Sequence, residues 1–123
     1  MALFPLFIEL SGRRALIVGG GRLALHKARM LLPYGAELTA VAPEFCPELE
    51  AMEGLTLVRR AFEPRDVEGA EIVIAATDER DVNRAVSALC RERGIPVNVV
   101  DELAECSLVF PCLLYTSPSP RDA

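Results

Sequence analysis

An α/β fold, built as an open parallel sheet with helices on both faces, is predicted by three observations. Short apolar runs rich in branched residues recur at residues 14–18, 37–42, 55–58, 71–76 and 96–100. Segments with apolar groups at helical spacing separate several of them. The connections are short, so consecutive strands are joined by right-handed crossovers and run parallel.

The elements follow in order. Residues 14–18, Arg-Ala-Leu-Ile-Val, stop at three glycines, as a first strand buried on both faces would. Leu23, Ala24, Lys27, Ala28, Leu31 and Leu32 then mark the first crossover helix, ended by Pro33 and Gly35. Residues 37–42 read as the second strand, 43–52 as a short second helix and 55–58 as the third strand. Residues 71–76 are the fourth strand, 78–93 a helix closed by Gly94, and 96–100 the fifth strand. Residues 107–110, Ser-Leu-Val-Phe, read as a sixth strand. Two βαβ units before the fourth strand predict a Rossmann-like strand order with its switch point beside the first strand.

Composition narrows the function classes. At 123 residues the chain holds one domain, and with 51% hydrophobic and 25% charged residues it has the material for a core. The net charge is −5, and the basic residues are scattered apart from Arg13-Arg14 and Arg59-Arg60, so no basic stripe is available for nucleic acid. No apolar run approaches the roughly 20 residues of a membrane span, and the N-terminus has no signal-peptide pattern, which reads as a cytoplasmic protein. The cysteines at 46, 90, 106 and 112 have no CxxC spacing and no neighbouring histidine, so neither a metal site nor a disulfide framework is expected.

The character of the chain changes at Cys112. The segment 112–123 has no helical or strand period and contains two Ser-Pro steps; residues 113–122 resemble a translated sequencing adaptor. The expected organisation is therefore a dinucleotide-binding domain over residues 1–111, truncated at its C-terminal end, followed by a non-native tail over 112–123.

The chemistry begins at Gly19-Gly20-Gly21-Arg22-Leu23-Ala24, a GxGxxG/A pattern placed directly after a strand and opening a helix. Gly19 permits the tight turn, Gly21 lets the backbone approach a pyrophosphate, and Ala24 is small enough for close packing of helix on sheet. Unpaired amides at the helix start then meet the anion. NAD is the expected cofactor. The acidic residue that takes the ribose hydroxyls belongs at the end of the second strand, where Glu44 is the carboxylate within reach. Glu44 also reads as a first-turn residue favoured by the helix dipole. The absence of a basic residue at 42–45 favours NAD over NADP. Thr77 ends the fourth strand, where it is able to serve both cofactor and helix cap. Asn98 and Asp101 close the fifth strand in Asn-Val-Val-Asp, which brings Asn98 as a cofactor contact and a carboxylate to the edge where open α/β sheets bind ligands. Asp101 has two readings from position alone, proton acceptor or loop cap.

Several blocks together resemble one family. They are Leu3-Phe4-Pro5-Leu6-Phe7, residues 14–21 with Lys27-Ala28, Val41-Ala42-Pro43, Ala75-Ala76-Thr77-Asp78 with Val82-Asn83, residues 96–101, and Cys106-Ser-Leu-Val-Phe-Pro111. In this combination the chain is similar to the N-terminal domain of siroheme synthases, the precorrin-2 dehydrogenase and sirohydrochlorin ferrochelatase module. The resemblance implies NAD-dependent oxidation of precorrin-2 to sirohydrochlorin, and in bifunctional members insertion of ferrous iron by a homodimer. It also implies that Asp101 is the catalytic residue and that Arg22, Leu23, Pro43 and Glu44 contact the cofactor. Two positions depart from the pattern, His26 where the family commonly has arginine and Pro33 within its helix. A non-catalytic NAD-sensing regulatory domain shares the glycine turn and the sheet, but that alternative leaves residues 98–101 and 106–111 unexplained.

Overall fold

The computed structural model describes residues 2–110, so the tail expected at 112–123 lies outside the described residues. Five parallel strands, β1 (Arg14–Val18), β2 (Glu37–Ala42), β3 (Leu55–Arg59), β4 (Ile72–Ala75) and β5 (Val97–Val99), form one sheet in the order β3-β2-β1-β4-β5. The order reverses between β1 and β4, the switch point expected beside the first strand.

The central strand shows why this sequence makes a sheet. In β1, Ala15 and Ile17 enter one apolar cluster while Leu16 and Val18 enter the other, so the alternation of the pleat feeds two cores. Helix α1 (Arg22–Leu31) covers the first face with Ala24, Leu25, Ala28 and Leu31. Helix α3 (Arg80–Arg93) covers the other with Val86 and Cys90, and Gly94 ends it in a left-handed conformation at φ 72°. Leu16, Ile17, Ile72, Val73 and Ile74 are all at most 1% exposed. Each stabilises the fold by about 1.5–3 kcal/mol relative to an exposed side chain.

Two expected elements differ. The second helix, expected over 43–52, is reduced to the single turn α2 (Pro47–Glu50). Residues 43–46 are drawn out of it because Cys46 N–H donates to the Gly20 carbonyl at 2.7 Å, and Pro47 then starts the turn. The sixth strand expected over 107–110 does not form. The edge of β5 is occupied by side chains instead: Val97 N–H donates to Ser107 Oγ at 3.0 Å and Val99 N–H to Cys106 Sγ at 3.1 Å. The Val97 carbonyl takes both Ser107 N–H and Leu108 N–H, at 2.9 and 3.0 Å, which leaves no regular ladder for a strand.

No helix among the described residues is long and apolar enough to cross a membrane.

Candidate functional site

The strand register aligns the carboxyl ends of four strands. Val41, Val18, Ala75 and Val99 lie in one row across β2, β1, β4 and β5. Every loop that leaves this row opens on the same edge of the sheet, which is where a crevice forms in such folds. A cleft of about 800 Å³ lies there, lined by residues 18–23, 41–46, 61–62, 76–79 and 82. It is the size of a small-molecule site.

The glycine turn is held in place by contacts on two sides. Gly19 sits at φ 140°, and a Cβ there would collide with the carbonyl oxygen of Ala76. Gly20 is closed in by the Glu44 carbonyl and the Phe45 ring, so a Cβ would collide with the Glu44 oxygen. Gly21 has nothing within 4 Å of the corresponding position. Its open side faces the cleft, as the residue beside an approaching ligand must. Helix α1 then begins without a side-chain cap or an acidic residue in its first turn. Its first backbone bond is Leu25 N–H to the Gly21 carbonyl at 3.0 Å, which leaves the amides of 22–24 as free donors for an anion. A dinucleotide fits this donor set and the empty space over Gly21.

Of the expected cofactor residues, Gly19, Gly20, Gly21, Arg22, Leu23, Pro43, Glu44 and Thr77 all line this cleft. Arg22, Leu23, Pro43 and Glu44 are exposed in it, and Leu23 is 42% exposed despite its apolar side chain. Phe45, Cys46, Ala61 and Phe62 also line it, although none of them carries a cofactor signal in the sequence.

Thr77 is tied into the floor. Its N–H and hydroxyl both reach Asn83 Oδ1, at 3.2 and 2.7 Å, and Asn83 Nδ2 donates back to the Thr77 carbonyl at 3.0 Å. The Thr77 hydroxyl also accepts Glu79 N–H at 3.1 Å, a bond within the turn before α3; the helix itself starts at Glu79 without a side-chain cap, so the capping role expected of Thr77 is not taken. Asn83 is 5% exposed. A polar residue at a core-facing helical position was the signal that it needed a partner.

Asn98, the remaining expected cofactor residue, lies apart from the cleft lining. It is 7% exposed within β5, opposite Ile74, and its Nδ2 donates to the Leu108 carbonyl at 3.0 Å. Its Oδ1 and Glu102 Oε1 are the buried side-chain acceptors left without a hydrogen-bond partner among the described residues. They flank the turn that carries Asp101.

Asp101 is exposed and has φ 65°, the one non-glycine residue with positive φ among those described. Glu102 N–H closes the turn onto the Val99 carbonyl at 3.2 Å. Asp101 thus occupies a left-handed turn position that glycine or asparagine takes most easily. It does not line the cleft, but it follows the same row of strand ends as the glycine turn. The two strands concerned are separated only by β4, two inter-strand spacings or about 10 Å. No group of three or more His, Cys, Asp or Glu side chains able to hold a metal occurs among the described residues.

The part of the cleft lined by Ala61 and Phe62 is braced by an ion pair. Arg60 makes a bidentate pair with Asp66, at 2.8 and 2.6 Å, and Glu63 N–H donates to Asp66 Oδ2 at 2.8 Å. The Arg60 hydrogen bonds hold the Asp66 carboxyl below its ordinary pKa. This lock sets the position of Ala61 and Phe62 at the cleft.

Comparisons with known proteins agree with this geometry. Residues 6–112 match the family model described as "Putative NAD(P)-binding". The siroheme synthase of Thioalkalivibrio sulfidiphilus is 46% identical over 121 residues, covering 96% of this chain and 25% of the relative. The siroheme synthase of Ectopseudomonas mendocina is 45% identical over 119 residues, covering 96% and 26%. The chain therefore spans about a quarter of the length of these curated relatives. Among solved structures, "SirC, precorrin-2 dehydrogenase" superposes with a TM-score of 0.74 at 27% identity, over 89% of this chain and 55% of that one. The chain belongs to this NAD(P)-binding family and is related over nearly its whole length to siroheme synthases.

Proposed function

We propose that this chain is the cofactor-binding part of an NAD-dependent precorrin-2 dehydrogenase that produces sirohydrochlorin for siroheme. The observation that carries the reading is the shared sheet edge, where the open side of Gly21 and the left-handed Asp101 follow one row of strand ends. The likeness to siroheme synthases and to a precorrin-2 dehydrogenase supports it.

The oxidation removes a hydride and a proton from the tetrapyrrole. Bound NAD supplies the hydride acceptor. Gly19, Gly20 and Gly21 would hold its pyrophosphate, with the amides of 22–24 as donors, and Pro43 and Glu44 would take its adenosine ribose. Thr77, after the end of β4, would support its nicotinamide side. The Asp101 carboxylate takes the proton and passes it to solvent, since the residue is exposed. Holding cofactor and macrocycle at one edge supplies much of the rate. In this reading, the intact protein is a cytoplasmic homodimer, and the same carboxylate assists loss of pyrrole protons when ferrous iron is inserted as a substrate.

The test uses the intact gene product. Asp101→Asn is expected to lower precorrin-2 oxidation by roughly 10²- to 10⁴-fold while NAD still binds. A wild-type rate would remove Asp101 from the chemistry, and absence of NAD binding by the unaltered protein would remove the cofactor assignment.

A further inference from the structure

The Asp101 turn is held by a thiol. Cys106 is 7% exposed and sits inside the turn, where its Sγ accepts Val99 N–H at 3.1 Å. Its S–H has two carbonyls to choose from, Val99 at 3.3 Å and Glu102 at 3.4 Å. These residues are the two ends of the turn that Glu102 N–H closes onto Val99. One side chain therefore contacts both ends of a turn whose third residue is Asp101.

Helix α3 supports the same segment from outside. Ser87, fully buried, donates its hydroxyl proton to the Glu105 carbonyl at 2.6 Å. Arg91 donates to the carbonyls of Ala104 and Cys106, at 3.0 and 3.2 Å. Two residues one turn apart on the helix thus fix the chain just beyond Asp101. A left-handed aspartate is strained and persists only when its surroundings over-determine it.

We infer that Cys106, backed by Ser87, is a positioning residue that acts through Asp101. Its thiol takes the hydrogen bonds that a neighbouring strand would give Val99 at the end of β5, and so holds the carboxylate at the ligand edge. The inference rests on the reading of Asp101 as the proton acceptor, and its test separates the two.

In the intact gene product, Cys106→Ala is expected to lower kcat roughly 10- to 100-fold, as small misplacements of a reacting group do, and to leave NAD affinity unchanged. Cys106→Ser keeps a donor and an acceptor and is expected to recover most of that loss. In an Asp101→Asn background, Cys106→Ala should add no further loss. Independent losses in that double variant would overturn the proposal. Amide hydrogen exchange gives a readout without catalysis: Val99 and Glu102 are expected to lose protection in Cys106→Ala. Unchanged protection also overturns the proposal. If Asp101→Asn turns over at the wild-type rate, the reading of Asp101 fails while the exchange result still decides the role of the thiol. Should Cys106→Ala not fold, Ser87→Ala is expected to show the same non-additivity with Asp101→Asn, and additivity there has the same force against it.

Discussion

Gly20 is packed against the backbone of Glu44, with the carbonyl carbon of Glu44 only 3.0 Å from where a Cβ would stand. The loop after β2 closes onto the glycine turn only because that Cβ is missing. Gly21, one residue on, has empty space where its own Cβ would stand and an extended backbone at φ −102°. Neighbouring glycines thus answer to different constraints. Gly20→Ala is expected to destabilise the protein by about 1–3 kcal/mol, as overpacking does. Gly21→Asp places a capping carboxylate at the start of α1 and is expected to leave Tm unchanged or slightly raised. It should weaken NAD binding at least tenfold, because the new charge stands where the pyrophosphate approaches. Thermal melts and calorimetric titration of both variants check this opposition.

Asn83 supports the other side of the cleft through three hydrogen bonds with Thr77. Asn83→Leu removes them and leaves the Thr77 amide and carbonyl without their partner. The expected loss is about 1–3 kcal/mol of stability, measured by urea denaturation, together with weaker NAD binding because the end of β4 is released.

The Arg60–Asp66 pair gives the cleft wall a pH dependence. The hydrogen bonds from Arg60 lower the pKa of Asp66 in the folded state. The group therefore adds stability above its unfolded pKa, and that contribution is lost as pH falls through the lower folded value. Asp66→Asn is expected to lower Tm at neutral pH, and the gap from wild type should close in acid, below about pH 4. Melts between neutral pH and pH 3 measure it; a gap that widens in acid contradicts the assignment.

The thiols should differ in reactivity. Burial pushes the Cys90 thiol up to about 11, which keeps it protonated and inert at pH 8. Cys46 is half-buried and lines the cleft beside the glycine turn. Iodoacetamide is expected to label Cys46 well before Cys90, and saturating NAD is expected to slow the labelling of Cys46. Peptide mass spectrometry with and without NAD reads both rates.

Local patterns carried the legible part of this protein. Residues 14–18 read as a buried strand because a branched apolar run ends at glycines, and the order of strands followed from their alternation with helices. The glycine turn was legible because its context is local. Gly20 was legible only as a member of the pattern, since its constraint comes from Glu44 across the fold. Asn83 and Ser87 share a helix face with Val86 and Cys90, so their burial was readable, but their partners at Thr77 and Glu105 come from tertiary packing. The sixth strand failed for a related reason. Residues 107–110 have strand-like composition, but two side chains had already taken the amides a strand needs.

That occupied edge has a consequence for how copies of the molecule meet. An exposed strand edge is a template on which another chain can add a strand, and such addition leads to aggregation. Cys106 and Ser107 remove the free amides of Val97 and Val99 from that template. The sheet's other end is β3, where Arg59 places an ion-paired charge with Glu50. Among the described residues, edge-to-edge growth is therefore hindered by side-chain bonding at the β5 end of the sheet and by charge at the β3 end.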